Sequence, residues 1–185
     1  MAADEDKILF DFIKQGNKPA FDTLFNKYYV RLCRFAMSFT RTKDLAEETV
    51  QDTFIKIWCQ RADLDITTSV VSYLFTAVKN HAFNEVKKAG IRRNHEAAYA
   101  GKTESEAQKS PAINESNFRV AVGKAMMQLP QKCREIFQLC KNDGLTYDEI
   151  AEYLNISAKT VENQMGIAFK KLRELLKPEL EGLIE

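Results

Sequence analysis

The fold is decided by the stretch Leu145-Thr146-Tyr147-Asp148-Glu149-Ile150-Ala151-Glu152-Tyr153-Leu154-Asn155-Ile156-Ser157. Thr146 followed three residues later by Glu149 is a capping box, in which each side chain bonds the backbone N–H of the other residue at a helix start. Ile150, Ala151 and Leu154 then share one apolar face at helical spacing. The stretch therefore predicts a short helix that ends in a tight turn.

A second helix is predicted after the turn at Asn155-Ile156. Many helix-turn-helix motifs have glycine at the position of Asn155. Ser157 can cap this helix. Its apolar positions repeat every three or four residues, as in a buried stripe: Val161, Met165, Ala168, Leu172 and Leu175. A short helix, a tight turn and a second helix with such a stripe predict a helix-turn-helix.

The opposite face of the second helix carries groups that can read duplex DNA. It holds Lys159, Asn163, Gly166, Ile167 and Lys170, with Thr160, Glu162 and Arg173 on its flanks. In a major groove, asparagine can pair with adenine, isoleucine can touch a thymine methyl, and lysines can hold phosphates. Gly166 costs a helix about 1 kcal/mol relative to alanine, so we expect DNA or a neighbouring helix to approach closely there. The alternative is an ordinary helical hairpin with a solvated basic face.

The rest of the chain also has helical patterns, separated by prolines and glycines. Helices are predicted at residues 5–15, 19–40, 44–60, 69–89, 115–128, 130–142, 146–154 and 157–177. Gly90 and Pro178 are expected to end two of them. Residues 94–114 are polar and small without an amphipathic period, which predicts a flexible linker. The expected fold class is all-α, with two small helical domains at residues 1–93 and 115–185.

Composition agrees with a small helical protein, and its charges are segregated. The 185 residues are 45% hydrophobic and include only 4 prolines and 7 glycines, too few for many short strands. A formal net charge of +1 argues against a wholly basic nucleic-acid binder. However, residues 157–177 and 79–93 are mostly basic, whereas residues 44–52 have only acidic charges. We expect different partners for these faces, although solvated helix surfaces have similar patterns.

No membrane, metal or catalytic pattern is present in the sequence. The apolar runs are far shorter than the roughly 18 residues that span a bilayer, and the acidic start is unlike a signal peptide, so a soluble cytoplasmic protein is expected. The cysteines lack zinc-ligand spacing and are interpreted as reduced core thiols: Cys33, Cys59, Cys133 and Cys140. Neither an enzyme nor a cofactor is expected, since no nucleophile has a nearby base and no phosphate loop occurs. His81 is expected to be partly buried rather than catalytic.

Two predicted helices of the first half carry distinctive outer faces. The helix at 44–60 has an acidic and polar patch that suits a basic protein partner or only water: Glu47, Glu48, Gln51 and Asp52. The helix at 69–89 combines Tyr73, Asn80 and Asn84 with several lysines. Unpaired nucleic acid needs such a mixture, because bases stack on rings and bond to amides while lysines meet phosphates. A merely solvated face is the alternative.

Three motifs together resemble a known family. They are Glu48-x-x-Gln51-Asp52-x-Phe54-Ile55-Lys56-x-Trp58, the run Ser72-Tyr73-Leu74-Phe75-Thr76-Ala77-Val78-Lys79-Asn80, and Leu129-Pro130 followed by the helix-turn-helix. In this order they resemble the extracytoplasmic-function group of sigma-70-like RNA polymerase sigma factors. The resemblance spans nearly the whole chain, and it implies a sigma2-like domain and a sigma4-like domain joined by a flexible linker.

The resemblance also implies roles for individual residues. The surface that docks on core RNA polymerase would comprise Glu47, Glu48, Gln51, Asp52 and Phe54. The loop at 63–69 and the following helix would recognise and help melt the minus-ten promoter element, with contacts from Tyr73, Lys79, Asn80, Asn84, Lys87 and Lys88. The minus-thirty-five element would be read by Lys159, Thr160, Glu162, Asn163, Ile167 and Lys170.

The partners implied by the resemblance are core RNA polymerase, promoter DNA and an anti-sigma factor, which in this family is often membrane-bound. The main alternative is a free-standing regulator of the LuxR type, because residues 145–173 also resemble that class of helix-turn-helix domain. Such regulators usually carry an α/β domain in front, whereas residues 5–90 here have helical periodicity. A helical adaptor that binds only proteins is a further alternative, which promoter-specific DNA binding would exclude.

Overall fold

The structure is a computed structural model, and it describes residues 2–97 and 115–181. These two ranges form eight α-helices and contain no strand, which confirms the all-α prediction. The helices are α1 (Ala2–Lys14), α2 (Lys18–Thr40), α3 (Lys43–Gln60), α4 (Val70–Ala97), α5 (Glu115–Met127), α6 (Gln131–Lys141), α7 (Tyr147–Leu154) and α8 (Ala158–Glu181).

Local signals explain where α2 begins and ends. The side chain of Asn17 accepts a hydrogen bond from the backbone N–H of Ala20 at 3.0 Å, and Pro19 lies in the first turn, where its missing N–H has no consequence. Gly16 has a φ of +83°, so it supplies the left-handed conformation needed for the chain to leave α1. Arg41 ends α2 in the same left-handed region, and its backbone N–H bonds to the carbonyl oxygen of Met37.

Two predicted helix ends are wrong. Gly90 was expected to end the fourth helix, but α4 continues to Ala97 and includes the first four residues of the predicted linker. A single glycine in a helix interior costs only about 1 kcal/mol, and the helix continues through it. Pro178 was expected to end the last helix, but α8 continues to Glu181. The remainder of the predicted linker, residues 98–114, lies outside the described residues.

Helices α1 to α4 pack around one aromatic and aliphatic core. Leu24, Tyr28 and Leu32 of α2 are buried against Phe54 of α3 and Phe75 of α4, among others. The buried carboxylate of Asp6 in α1 accepts hydrogen bonds from the Tyr28 hydroxyl and the Lys27 ammonium group, which ties α1 to α2. The apolar faces of α3 and α4 are therefore packed in this bundle, and their polar faces point outward.

Helices α5 to α8 form a second, smaller helical unit. Its own buried cluster consists of Ala125, Leu129, Cys133, Ala168 and Leu172. The predicted stripe of α8 is confirmed, because Val161, Met165, Ala168 and Leu172 are buried and Leu175 is partly buried. The interpretation of all four cysteines as core thiols needs correction, since Cys59 is exposed whereas Cys133 is buried.

The two units are in contact through α7. Buried residues of α6, α7 and α8, including Leu139, Ile150 and Met165, belong to the same apolar cluster as the core of the first bundle. Helix α7 packs on α4, and the loop before α7 lies beside α2. The helix-turn-helix therefore lies directly against the helix that carries the predicted minus-ten contacts.

Candidate functional site

The helix-turn-helix forms as predicted from its local signals. The backbone N–H of Thr146 donates to the Glu149 carboxylate at 2.8 Å, and the N–H of Glu149 donates to the Thr146 hydroxyl at 3.2 Å, so the capping box is confirmed. Asn155 adopts φ 52° and ψ 51°, a left-handed conformation that asparagine tolerates better than most residues. This explains why the turn can do without glycine.

The start of α8 is fixed so that its polar face points outward. The Ser157 hydroxyl accepts a hydrogen bond from the backbone N–H of Thr160 at 3.1 Å, which confirms the predicted cap. Because the apolar stripe of α8 is buried, the predicted minus-thirty-five residues are all exposed: Lys159, Thr160, Glu162, Asn163, Ile167 and Lys170. The structure thus brings these six residues together on one accessible face.

Two features of this face bear on DNA binding. The Lys159 ammonium group lies 2.7 Å from the Glu162 carboxylate, so the helix neutralises part of its own basic charge. Gly166 is exposed, and a Cβ atom built on it would meet no atom within 4 Å. Close packing against a neighbouring helix therefore does not explain why this position is glycine. Close approach of DNA, the other explanation suggested by the sequence, stays a prediction.

The predicted polymerase-docking patch lies on the outer face of α3. Glu48, Gln51 and Asp52 are exposed. Glu47 is half-buried and pairs with Lys43 at 3.5 Å. The prediction that Phe54 belongs to this surface is wrong, since its side chain is only 1% exposed.

Phe54 belongs to the core because α3 turns this side of the helix towards α2. Its ring packs edge-on against Phe21 and Phe25, with centroids 5.9 and 4.9 Å apart. In this position Phe54 holds α3 against the bundle and cannot touch a partner itself. The acidic side chains around it carry the exposed surface.

The predicted minus-ten residues on α4 divide between two faces. Tyr73, Asn80 and Asn84 line one cavity of about 220 Å³ between α3 and α4. Lys87 and Lys88 are exposed one turn further along, and Lys88 pairs with Glu85 at 2.8 Å. Lys79 points the other way, towards α7, with its ammonium group 5.3 Å from the centre of the Tyr153 ring.

The cavity between α3 and α4 includes residues that the sequence reasoning missed. Helix α3 contributes Thr53, Lys56, Ile57 and Gln60, and α4 adds Ala77 and His81. The signal that could have found the α3 residues is their spacing of three, four and seven positions, which places them along one side of a helix. They give the cavity an ammonium group and an amide besides the two asparagines of α4.

His81 lines this cavity, and its surroundings favour the neutral imidazole. Burial lowers the pKa of His81, and the neighbouring ammonium group of Lys56 lowers it further. The Thr53 hydroxyl donates to the carbonyl of Thr49, so it can accept the Nδ1–H of His81 at 3.1 Å. The Nε2 atom then accepts from Lys56 at 3.3 Å. The expectation that His81 is partly buried is confirmed, and its contacts position Lys56 at the cavity.

Comparison with known proteins identifies the family. The model of Sigma-70 region 2 matches residues 24–91, and the model of Sigma-70 region 4 matches residues 119–172. The first range contains the α3 patch and the cavity between α3 and α4, and the second contains the helix-turn-helix. The chain belongs to the sigma-70 family of RNA polymerase sigma factors.

Relatives with this organisation are RNA polymerase sigma factors, several of which are named as extracytoplasmic-function (ECF) sigma factors. The sigma factor CarQ of Myxococcus xanthus is 28% identical, over 88% of this chain and 92% of its own length. The ECF sigma factor SigM of Bacillus subtilis is 27% identical, over 83% and 93%. CnrH is a sigma factor of Cupriavidus metallidurans. Its structure in complex with the cytosolic domain of CnrY is 25% identical, with a TM-score of 0.61 over 94% of this chain and 98% of that one.

Membership in the sigma-70 family decides between the open alternatives. A free-standing LuxR-type regulator is not favoured, because the helices in front of the helix-turn-helix match Sigma-70 region 2 rather than an α/β domain. Among the described residues of this sigma factor, no helix is both long and apolar enough to cross a bilayer. The same residues contain no group of three or more potential metal ligands.

Proposed function

We propose that this sigma factor contacts core RNA polymerase and the two promoter elements through three separate surfaces, by binding without covalent chemistry. The α3 patch of Glu47, Glu48, Gln51 and Asp52 docks on the polymerase. The α3–α4 cavity takes part in minus-ten recognition. The exposed face of α8 reads the minus-thirty-five element in the major groove.

The exposed face of α8 is the observation that carries the proposal. Its first turns present Asn163 and Ile167 to solvent, and the lysines around them lie where a groove has its phosphate walls. Ile167 is 47% exposed, so its side chain can contact a thymine methyl group without repacking.

The cavity between α3 and α4 supports capture of an unpaired base. Its volume of about 220 Å³ is below the roughly 300–1,000 Å³ of pockets that hold drug-sized ligands, so it suits a single planar group. Tyr73 offers a ring for stacking, and Asn80 and Asn84 offer amides for a base edge. Lys56 can meet the adjoining phosphate. A base held there would stabilise the opened strand.

The α3 patch suits a basic surface of the polymerase. Its exposed carboxylates lie on a helix whose other side is fixed in the core, so docking needs no rearrangement of the bundle. Charge reversal in Asp52→Lys should abolish binding to core polymerase while leaving the protein folded, because Asp52 is exposed. The matched control is Asp22→Lys, an equal reversal on the exposed side of α2. Retained binding by Asp52→Lys in a direct titration would remove the docking assignment.

Recognition of the upstream element can be tested at one side chain. Asn163→Ala should weaken binding to a minus-thirty-five duplex by about 1–3 kcal/mol, the range for a good bidentate contact, without changing polymerase binding. Gln131→Ala, an exposed amide at the start of α6, is the control. Binding of matched and scrambled duplexes should be compared, and an unchanged preference in Asn163→Ala would contradict its role in reading the bases.

The proposal as a whole is tested by transcription with purified components. The chain is added to core RNA polymerase with genomic DNA, and the 5′ ends of new RNA are mapped. Start sites that share two upstream motifs are expected. Absence of both polymerase binding and new start sites would overturn the proposal.

We further infer an anti-sigma partner and action in the cytoplasm, where RNA polymerase and DNA are found. The cleft of about 720 Å³ beside α2, α4 and α6 is the candidate contact, because Met37 and Phe83 expose apolar side chains there. CnrH, which shares the fold, was solved in complex with the cytosolic domain of CnrY. Co-purification of the chain with a protein that blocks transcription, and loss of that block in Phe83→Asp, would support this partner.

A further inference from the structure

The α3–α4 cavity contains a buried imidazole that lies between two oppositely charged side chains. The side chain of His81 is only 8% exposed. Its Nε2 atom lies 3.3 Å from the Lys56 ammonium group of α3 and 3.7 Å from the Glu85 carboxylate of α4. One ring nitrogen therefore faces both a cation and an anion, and its protonation state decides which of them it can bind.

The other ring nitrogen has a fixed partner. The Thr53 hydroxyl donates its proton to the carbonyl oxygen of Thr49 at 2.7 Å, so it accepts the Nδ1–H of His81 at 3.1 Å. In the neutral ring the Nε2 atom is then an acceptor. An ammonium group can only donate and a carboxylate can only accept, so the neutral ring binds Lys56 rather than Glu85.

Protonation of His81 reverses this preference. Both ring nitrogens then donate, so Nε2 can bind the Glu85 carboxylate and can no longer accept from Lys56. The charged ring also repels the ammonium group and attracts the carboxylate. The other charged groups near the ring are Asp52 on α3 and Lys88 on α4, and Lys88 pairs with Glu85 at 2.8 Å.

The change of partner falls on the acidic side of neutrality. Burial, followed by the charge of Lys56, lowers the pKa of His81 below its usual 6.5, although Glu85 and Asp52 act in the opposite direction. The neutral ring is therefore the form present at pH 7. The titratable Tyr73 hydroxyl belongs to the same cavity but is uncharged in this range.

Lys56 is the group whose position depends on this choice. Among the described residues that line the cavity, its side chain is the only one that is charged at pH 7. Lys56 is exposed, so its long side chain can adopt many positions, and the bond to His81 selects one of them at the cavity. A base held by Tyr73, Asn80 and Asn84 would bring its phosphate backbone to that position.

We propose that His81 is a positioning residue for minus-ten recognition: the neutral ring holds the Lys56 ammonium group at the α3–α4 cavity, and the protonated ring releases it by pairing with Glu85. The inference rests on the proposed function, because the cavity must receive an unpaired base for Lys56 to meet a phosphate. Capture of the unpaired strand should therefore weaken as the pH falls below 6.5. General attraction of DNA changes in the opposite direction, since protonation of histidines adds positive charge to the protein.

The experiment uses the full chain assembled with core polymerase and a fluorescent single-stranded oligonucleotide that carries the minus-ten element found from mapped start sites. Affinities are measured at pH 7.5 and pH 5.5. His81→Gln places an amide oxygen near the position of Nε2, so it can accept from Lys56 at either pH. His81→Asn is the matched variant, because its shorter amide can reach Thr53 but leaves Lys56 without an acceptor. His95→Gln, at the other histidine of the chain, is the control for the pH effect.

At pH 7.5, His81→Asn and Lys56→Gln should bind the oligonucleotide about two- to fivefold more weakly than the wild type, the range for one exposed ion pair. The slope of their salt dependence should be shallower by about 0.7, the value for one phosphate contact on a single strand. On acidification to pH 5.5, the wild type and His95→Gln should lose about the same two- to fivefold relative to His81→Gln. Binding to a minus-thirty-five duplex should be equal in all variants, and thermal unfolding checks that each is folded.

Three results would overturn the positioning role while leaving the sigma function intact. They are equal affinities of His81→Gln and His81→Asn at pH 7.5, a pH dependence in His81→Gln as large as in the wild type, and full affinity of Lys56→Gln. The last variant keeps the test decisive even if a change at the buried His81 impairs folding, because Lys56 is exposed. Failure of the wild-type complex to bind the oligonucleotide at pH 7.5 would instead overturn the proposed function of the cavity.

Discussion

Gly166 gives the sharpest test of the α8 surface, because stability and recognition should respond to it in opposite directions. Gly166 lies in the interior of α8 and is exposed, and an added Cβ atom would have no neighbour within 4 Å. Alanine therefore fits without strain. Glycine is less favourable than alanine in a helix interior by about 0.8–1.0 kcal/mol, so Gly166→Ala should stabilise the folded protein by about that amount.

Gly123 provides a matched control within the same protein. It lies in α5, is exposed, and also has no atom within 4 Å of a built Cβ. Gly123→Ala and Gly166→Ala should thus raise the free energy of unfolding by similar amounts. A gain of about 1 kcal/mol corresponds to an increase of about 2–4 °C in the midpoint of thermal unfolding for a chain of this size.

The two variants should differ in DNA binding. If Gly166 lets the backbone of α8 approach the bases, its methyl replacement should weaken binding to the minus-thirty-five duplex by about 1–3 kcal/mol, the cost of one lost base contact. Gly123→Ala should bind like the wild type. Calorimetric unfolding and duplex titrations check both effects. Full duplex affinity in Gly166→Ala would refute close approach of DNA at this position. A lower free energy of unfolding would refute the stabilisation expected from alanine in a helix interior.

Two further predictions concern charged groups. Burial raises the pKa of Asp143 to about 6 from its usual 3.8, although Arg31 and Arg34 act in the opposite direction. Because the folded protein binds this proton more tightly than the unfolded chain, protonation stabilises the fold at low pH. This stabilisation is lost as the pH rises from about 4 to above 6. Asp143→Asn should consequently have a higher free energy of unfolding in urea than the wild type at pH 7.5, and this difference should shrink towards pH 4.5. A difference that does not depend on pH would contradict the burial effect. Glu162→Gln should release Lys159 for a phosphate, which strengthens duplex binding and steepens its salt dependence by about one unit of slope. Weaker and less selective binding would indicate instead that Glu162 accepts a hydrogen bond from a base.

The helix-turn-helix could be predicted closely because its signals are local. The capping box at Thr146 and Glu149, the cap at Ser157 and the α8 stripe all involve residues within a few turns of each other. Local patterns also predicted the bounds of the other helices within a few residues, apart from the ends expected at Gly90 and Pro178. Breaker residues act there only as weak preferences, which the rest of a long helix can override.

The arrangement of side chains between elements could not be predicted in the same way. Lys79 and Asn80 are neighbours in sequence, yet one faces Tyr153 and the other lines the α3–α4 cavity. Which side of α4 meets α7 depends on contacts such as Glu152 with Ser69, which are 83 residues apart. Helical periodicity predicts which residues share a face but gives no information about the partner of that face.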